Sequence, residues 1–237
     1  KMAARETVKK ASVPLVPGSF DRVRDKEEAL KIAKQLKYPV ILKASAGGGG
    51  KGMRVCHNDV RLVSALMTAE REAEAAFGNA AIYIEKYFEK TRHVEIQVLG
   101  DRHGNLIHLN ERDCTIQRRH QKLLEESPSP AVDARLRRKM GEVAVKAAQA
   151  VNYFNAGTVE FLLNEDGNFY FLEMNTRIQV EHGVTELVTG LDLVREQILI
   201  AAGAPMTIKK QDKVPLNGAA LECRINAEDY QNNFAPS

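Results

Sequence analysis

The sequence predicts an α+β fold divided into two lobes. Helix and strand patterns are interleaved up to about Tyr87, whereas strand and hairpin patterns predominate after Arg92. The 237 residues correspond to between one and two domains of about 150 residues each. We therefore expect a leading helix over 1–14, a smaller lobe over 15–87 and a larger lobe with a mixed sheet over 88–237.

The smaller lobe is expected to contain helices that pack on a few short strands. Asp25 is a typical helix N-cap, Glu28 completes a possible capping box, and Pro39 lies beyond the end of that helix. The expected helices are residues 1–11, the segment after Asp25, and the segment from Asn58 or Asp59 to Phe77, with Gly78 as its stop. The expected strands are residues 39–43, 53–56 and 81–86.

The larger lobe is expected to be built from hairpins and two helices. A glycine-bounded turn over 100–104 separates two apolar runs, which predicts a hairpin. Asp133 is expected to cap a helix with one buried face at Leu136, Met140, Val143 and Ala147. The other expected elements are strands over 93–99, 106–109, 158–163 and 169–175, and a helix over 192–202.

Composition and charge exclude several classes of protein. The apolar fraction of 44% and the charged fraction of 27% are typical of a globular protein. A net charge of +3 does not favour a nucleic-acid-binding face. Cys56, Cys114 and Cys223 are few and far apart, which excludes a CxxC site and favours a reducing compartment. No apolar run approaches the roughly 18 residues of a membrane span, and the charged opening residues do not resemble a secretory signal.

The glycine run predicts a phosphate-binding hairpin. Residues 47, 49 and 52 satisfy the spacing G-x-G-x-x-G, but the next segment has the pattern of a strand, whereas a dinucleotide-binding site requires a helix. Met53 follows Gly52 where a Walker motif requires lysine. A glycine-tipped hairpin can cover phosphate oxygens, and Lys43 on the preceding strand supplies a fixed positive charge. A flexible turn without a ligand is the alternative.

A pair of carboxylates predicts a magnesium site. A two-residue turn at Asp166-Gly167 places Glu160 and Glu173 opposite each other on adjoining strands. Like charges in such a pair repel each other, and their neighbours are strongly apolar, so a cation between them resolves the conflict. Mg²⁺ bound together with substrate phosphates is the natural choice. The alternative is a shifted register with one glutamate in solvent.

Five alternating polar residues predict a wall of the same site. In an extended segment they all point to one face, and their mixture of types suits a cleft better than a solvated sheet face, which remains the alternative. These residues are Glu173, Asn175, Arg177, Gln179 and Glu181. By contrast, the charge run over 118–122 and the isolated His93 are, taken alone, more typical of surface and structural positions.

Five ordered motifs resemble biotin carboxylase, the ATP-grasp component of biotin-dependent carboxylases such as acetyl-CoA carboxylase. They are KASAGGGGKGMR (43–54), RHVEIQV (92–98), ERDCTIQRRHQK (111–122), EMNTRIQVEH (173–182) and ECRINAED (222–229). The likeness extends over the whole chain. It implies an ATP-grasp fold, in which a glycine-loop lid lobe and a larger lobe clamp the nucleotide.

The resemblance implies a role for each matching residue. ATP contacts are implied for Lys1, Lys43, Gly47, Gly48, Gly49, Gly50, Gly52, Glu85, Lys86, Phe88, His93, Gln117 and His120, with Glu85 and Lys86 meeting the adenine through strand-edge hydrogen bonds. Metal binding, by two Mg²⁺ or Mn²⁺ ions, is implied for Glu160, Glu173 and Asn175. Bicarbonate binding is implied for Arg177, Gln179 and Val180, and catalysis for Glu181, Arg177, Arg224 and Lys122.

The implied reaction is phosphoryl transfer from ATP to bicarbonate, followed by carboxylation of biotin. Glu181 would deprotonate bicarbonate, carboxyphosphate would break down to CO₂ and phosphate, and Arg224 would stabilise the biotin enolate. The implied partners are a biotin carboxyl carrier protein, a carboxyltransferase and, for the full-length enzyme, a second copy of itself. No nucleic acid or membrane partner is expected. The expected location is the cytoplasm, or the mitochondrial matrix in a eukaryote.

The sequence departs from the family pattern in two ways. Gly183 replaces the proline that usually follows Glu-His, which loosens the backbone beside Glu181. In addition, the N-terminal Rossmann-like region and the remainder of the C-terminal region of the family are absent from these 237 residues.

Other functions remain open. The same component of propionyl-CoA, pyruvate or another carboxylase, and more remotely carbamoyl-phosphate synthetase, uses the same intermediate. The motif over 222–229 favours biotin carboxylation, and the segment over 122–130 favours an acyl-CoA carboxylase over pyruvate carboxylase. A nucleotide-binding module without turnover is the alternative from another class.

Overall fold

The computed structural model describes residues 2–19, 21–45 and 53–236. The helices are α1 (Met2–Lys10), α2 (Lys26–Leu36), α3 (Asp59–Phe77), α4 (Ala134–Gln149), α5 (His182–Thr189) and α6 (Leu193–Ala201). The strands are β1 (Val40–Ala44), β2 (Arg54–Cys56), β3 (Ile82–Lys86), β4 (Thr91–Gly100), β5 (Leu106–Arg118), β6 (Gln121–Ser127), β7 (Asn155–Asn164), β8 (Phe169–Asn175), β9 (Ala220–Cys223), β10 (Glu228–Asp229) and β11 (Ala235–Pro236). No described helix is both long enough and apolar enough to cross a bilayer.

A small antiparallel sheet forms the first part of the chain. Its strand order is β2-β1-β3, and α2 and α3 pack on it through apolar side chains that include Leu42, Leu62 and Ile84. The expected cap is confirmed, because the Asp25 carboxylate accepts the Glu28 N–H at 2.8 Å. The Glu28 carboxylate in turn accepts the Arg24 N–H at 2.8 Å, one residue earlier than in the usual capping box.

The segment before α2 runs along the outer edge of β3. The Ser19 N–H donates to the Ile84 carbonyl at 2.8 Å, and the Lys86 N–H donates to the Pro17 carbonyl at 2.8 Å. These bonds protect the edge of the sheet. They also bring the Gly18 backbone against Glu85, with which Gly18 forms an isolated antiparallel bridge.

A six-stranded sheet forms the larger part of the molecule. Its order is β8-β7-β4-β5-β6-β9, and all neighbouring strands are antiparallel. The strand pairs are thus antiparallel and not mixed as expected, and Leu15, outside the sheet, forms an isolated parallel bridge with Phe171 at the β8 edge. Alternate residues of β4 point to opposite faces. Val94, Ile96 and Val98 join the apolar core beneath α1 and α4, whereas Glu95 and Gln97 lie on the α5 face.

The β7–β8 hairpin confirms the predicted pairing, although its loop differs from the prediction. Glu160 and Glu173 are direct cross-strand partners. The loop is longer than two residues, because the Asn164 N–H donates to the Asn168 carbonyl and Gly167 adopts a positive φ of 76°. A register shift after Glu160 compensates for the extra residue and restores the predicted pair.

Two other expectations differ from the structure. The five alternating polar residues were expected to lie in one extended segment to Glu181, but β8 ends at Asn175 and α5 begins at His182, with an irregular loop over 176–181. Strands β6, β9, β10 and β11 and helix α5 were not predicted. The β5–β6 hairpin turns through Arg119 and His120, both of which have positive φ, a conformation that sequence patterns assign to Asn and Gly.

We predict opposite effects for the same substitution at two glycines. A Cβ at Gly18 would lie 2.4 Å from the Ile84 carbonyl oxygen, so Gly18→Ala should lower the free energy of unfolding by about 1–3 kcal/mol. A Cβ at Gly183, in the first turn of α5, would lie 3.7 Å from its nearest neighbour, a Glu222 oxygen. Gly183→Ala should therefore raise the free energy of unfolding by about 0.4–1 kcal/mol. Urea unfolding measures both changes. Equal stability of the two variants would contradict the predicted backbone clash at Gly18.

Candidate active site

A polar cleft of about 410 Å³ opens on the α5 side of the large sheet. Its walls come from the β7–β8 hairpin, the β5–β6 hairpin, the loop over 176–181 and the segment after β9. The lining residues are His93, Gln117, His120, Gln121, Lys122, Glu160, Glu173, Asn175, Arg177, Gln179, Val180, Glu181, Arg224 and Asn226. All of these except Gln121 and Asn226 had been singled out from the sequence.

The Lys122 ammonium is the central cation of this cleft. It donates to Glu95 Oε2 at 2.5 Å and to Glu181 Oε1, and it lies 3.4 Å from Glu160 Oε1. Burial would lower the pKa of Lys122, but the surrounding carboxylates outweigh burial and raise it. Lys122 therefore stays charged and draws three acidic side chains from three different elements to one point.

Glu181 lies between two cations. Its second carboxylate oxygen accepts from the Arg224 guanidinium at 2.7 Å, and the same guanidinium donates through Nε to Glu125 at 2.7 Å. The Glu181 side chain is only 2% exposed. Two cations thus hold the carboxylate in a defined position at the cleft wall.

His93 carries a positive charge on the opposite wall. Its Nε2 lies 3.2 Å from Glu160 Oε2 and 3.8 Å from Glu95 Oε2. Burial would lower the pKa of His93, but the two carboxylates outweigh burial and raise the pKa to about 9. The raised pKa favours the protonated ring near neutral pH, in which form His93 pairs as a cation with both carboxylates.

The carboxylates of the cluster remain ionised. Burial would raise the pKa of Glu95, yet Arg112, His93 and Lys122 hold it well below its usual range. The pKa of Glu160 is lowered as well, because His93 and Lys122 outweigh its burial. The cleft is therefore a network of opposite charges in which each ion has a partner.

The acidic pair suits a hard divalent cation. Glu160 Oε1 accepts from the Asn175 amide at 2.8 Å and from the Gln179 amide at 3.1 Å, so internal donors compensate part of its charge. Glu173 is exposed and lines the cleft directly opposite Glu160. Carboxylate and amide oxygens are the ligands that Mg²⁺ prefers, so Glu160, Glu173 and Asn175 fit a magnesium ion.

Arg177 and Val180 stand at the open side of the cleft. The Arg177 guanidinium is exposed and donates to the Ile178 carbonyl at 3.1 Å and to the Asn175 side chain at 3.4 Å. Val180 is also exposed, at 64%. A cation at the mouth and a buried amide at Gln179 form the surroundings that a small oxyanion requires.

The remaining predicted residues lie outside this cleft, at or near the small sheet. Lys43 donates to the buried Glu85 carboxylate at 2.6 Å, and Arg5 of α1 forms a second ion pair with Glu85. Lys86 donates to two backbone carbonyls, and Phe88 stacks on Tyr170 with ring centroids 5.0 Å apart. Lys1, Gly47, Gly48, Gly49, Gly50 and Gly52 lie outside the described residues.

Sequence reasoning missed three buried residues of the network. Glu95, Arg112 and Glu125 are each 0% exposed and bind the cleft residues from beneath. Glu95 and Arg112 stand within motifs that the sequence displays, but Glu95 appears there only as a polar residue between apolar ones, and Arg112 as one charge in a run of charged residues. Their partners are distant along the chain, so no local pattern identifies them.

Comparisons with known proteins agree on one family. A family model described as the carbamoyl-phosphate synthase L chain, ATP binding domain, matches residues 1–209. The biotin carboxylase of Nostoc sp. is 59% identical over 100% of this chain, which covers 53% of that protein. The mitochondrial propionyl-CoA carboxylase alpha chain of Sus scrofa is 53% identical over 99% of this chain and 32% of its own length.

A solved structure matches the whole fold. It is the biotin carboxylase domain dimer of Hydrogenobacter thermophilus 2-oxoglutarate carboxylase, in complex with MgADP, ADP and bicarbonate. The TM-score is 0.91 at 53% identity, over 100% of this chain and 52% of the other. The chain thus spans about half the length of the first relatives that it matches.

The charge on His93 should make stability depend on pH. Because the pKa rises from 6.5 in the unfolded chain to about 9 in the folded one, the stabilisation is complete below about pH 6.5 and is lost as pH rises to 9. Without metal, the stability lost in His93→Asn should therefore shrink over this range. Urea unfolding measures the difference, and NMR titration of the His93 ring measures the pKa. A ring that titrates near 6.5 would contradict the prediction.

Glu173 should be required for divalent-ion binding. Glu173→Gln should weaken Mn²⁺ binding in the presence of ADP by about tenfold or more, because a charged ligand is lost. Electron paramagnetic resonance of Mn²⁺ measures the affinity. Glu165→Gln is the matched control, since Glu165 is an exposed acid in the loop of the same hairpin. Similar losses in both variants would indicate a general charge effect and not a site.

Proposed function

The chain belongs to the family of the carbamoyl-phosphate synthase L chain ATP-binding domain and groups within it with the biotin carboxylases; from this premise we propose that it carboxylates biotin on a carrier protein with ATP and bicarbonate. The fold is accordingly ATP-grasp. The observation that carries the proposal is Glu181 held between Lys122 and Arg224 in the cleft.

The first step is phosphoryl transfer to bicarbonate. Glu181 takes the proton of the bicarbonate hydroxyl, and the resulting oxygen attacks the γ-phosphorus of ATP, which releases ADP and forms carboxyphosphate. Arg177, the Gln179 side chain and the Val180 backbone bind bicarbonate at the mouth of the cleft, and Lys122 neutralises developing negative charge. Catalysis in such a transfer consists mainly of positioning and charge stabilisation.

Nucleotide and metal are assigned to the side of the cleft formed by the hairpins. Glu160, Glu173 and Asn175 would hold magnesium, which supplies charge neutralisation and orientation of the phosphates when bound. His93, Gln117 and His120 are assigned to the ribose and phosphates. We further propose that residues 15–87 form a lid lobe, in which Lys43 and the glycine loop contact phosphates and the segment at Glu85, Lys86 and Phe88 receives adenine. In the structure the Glu85 side chain forms internal ion pairs, and its backbone is flanked by Ile41 of β1 on one edge and Gly18 on the other.

The second step is carboxyl transfer to biotin. Carboxyphosphate breaks down to CO₂ and phosphate, phosphate removes the biotin N1′ proton, and the enolate captures CO₂. Arg224 is the cation assigned to the enolate. Its guanidinium lies at the cleft wall and is held by Glu125 and Glu181, which fixes its direction.

The complete enzyme is proposed to serve acetyl-CoA carboxylase, and hence fatty acid biosynthesis. A carrier protein and a carboxyltransferase are its proposed partners, a homodimer is its proposed assembly, and the cytoplasm is its proposed location. Components of propionyl-CoA, pyruvate or other carboxylases remain the alternative, since relatives from different carboxylases have similar identities. A nucleotide-binding chain without turnover is the second candidate, because these 237 residues span about half of the relatives.

Glu181→Gln should abolish bicarbonate-dependent turnover. Loss of a general base lowers the rate by about 10²–10⁴-fold, while MgADP affinity should stay within about twofold because Glu181 faces Lys122 and Arg224 and not the metal pair. ATP hydrolysis with and without bicarbonate and free biotin measures the rate, and calorimetry measures the affinity. Glu142→Gln, an exposed glutamate on α4, is the control and should behave as wild type.

ATP hydrolysis by the wild type decides between the enzyme and the nucleotide-binding chain without turnover. ATP hydrolysis that rises with bicarbonate and biotin in the wild type supports the enzyme, and a Glu160→Gln variant should lose it. Nucleotide binding without such hydrolysis supports the binding module. Undiminished turnover by Glu181→Gln would remove this residue from its role as base.

A further inference from the structure

Arg112 lies beneath the cleft, in the middle of β5. Its side chain is 0% exposed, and burying an unpaired guanidinium would cost several kcal/mol. The neighbouring Glu111 points to the opposite face of the sheet, where it pairs with Arg137 of α4. Arg112 is therefore a buried cation on the same face as the cleft, and its partners explain how the charge is accommodated.

Each of the five N–H donors of Arg112 can be matched with an acceptor. Its Nε donates to Glu95 at 2.7 Å, and its terminal nitrogens donate to two hydroxyls and two amide oxygens. These four acceptors are Gln97 at 2.7 Å, Thr185 at 2.9 Å, Thr158 at 3.0 Å and Gln179 at 3.4 Å. The acceptors belong to β4, β7, α5 and the loop over 176–181, so one planar group connects four separate segments.

Two of these contacts lead directly to the reacting region. Glu95 uses its other oxygen to hold Lys122, which in turn contacts Glu181. Gln179 accepts from Arg112 through its oxygen and donates through its nitrogen to Glu160. The bond from Arg112 orients the Gln179 amide, because the oxygen must face the Arg112 donor and the nitrogen must face the Glu160 carboxylate.

We infer that Arg112 is a positioning residue that holds the loop over 176–181 and the Lys122–Glu181 pair in the geometry that binds bicarbonate. This inference rests on the proposed function for the identity of the anion. The geometry itself depends on a planar fork with five donors, which lysine does not reproduce. Arg112 does not line the cleft, so it acts through Glu95, Gln179 and Thr185.

The test uses the 237-residue chain with two substitutions of different severity. Arg112→Lys keeps the charge and removes the fork, whereas Thr185→Val removes one acceptor with little change of shape. Hydrogen exchange of the peptide over 176–185 reports the order of the loop without reference to activity. Steady-state kinetics report KM for bicarbonate and for ATP separately.

Arg112→Lys should raise KM for bicarbonate by about tenfold or more and leave KM for ATP within about twofold. Exchange over 176–185 should be faster in the same variant. Thr185→Val should also raise KM for bicarbonate and speed hydrogen exchange over 176–185, but by smaller amounts. If Arg112→Lys does not fold, Thr185→Val alone decides: unchanged exchange and unchanged KM for bicarbonate in that variant would overturn the inference.

Arg137→Lys is the matched control. Arg137 forms a two-bond ion pair with Glu111 at 2.7 Å for each bond, from the adjoining residue of the same strand, but on the face away from the cleft. This variant should lose stability without faster exchange over 176–185. Equal effects of Arg112→Lys and Arg137→Lys on exchange and on KM would show a general loss of stability and would overturn the inference.

The two proposals fail in different ways. If the wild type shows no bicarbonate-stimulated hydrolysis, the proposed function fails, while the exchange measurements still decide whether Arg112 orders the loop. If the wild type is active and Arg112→Lys lowers kcat while KM for bicarbonate and loop exchange stay unchanged, the positioning role fails and the proposed function stands.

Discussion

A balance of buried charges beneath the cleft is the constraint on which the site depends. Lys122 meets Glu95, Glu160 and Glu181, and Arg112, His93 and Arg224 complete the pairing of these carboxylates. Removing one ion leaves its partners buried with less compensation, which is destabilising. The arrangement of the cleft therefore behaves as a unit, and each side chain is held in position by charges from other elements.

The antiparallel sheet makes this balance possible. Alternate residues of β4 and β7 face the apolar core beneath α1 and α4, while polar residues between them face α5 together with Arg112 of β5. Because the strands lie side by side, polar residues from separate parts of the sequence meet at bonding distance. The rigid network then supports an irregular loop over 176–181, whose backbone is not held by any ladder. The positions of the side chains at the mouth of the cleft thus depend on the ion pairs below it.

Parts of the site were predictable because their signals are local. The opposed Glu160 and Glu173 follow from a hairpin and its turn, and the helix caps follow from single residues before amphipathic segments. The predicted loop was nevertheless too short, and the pair survived because a register shift after Glu160 offset the error. The prediction of one extended segment to Glu181 failed because polar alternation does not distinguish a strand from a loop that folds back over the same cleft.

The sequence alone determined the family resemblance, the α+β class and most residues that line the cleft, because these depend on motifs and on short-range periodicity. Tertiary structure alone decided which ions pair, because the partners of Arg112 and Lys122 lie on strands, a loop and a helix that are remote along the chain. It also decided that His93 is a half-buried partner of two carboxylates and that Glu181 stands between Lys122 and Arg224. Protonation and orientation depend on burial and on distances between elements, and neither is encoded in local spacing.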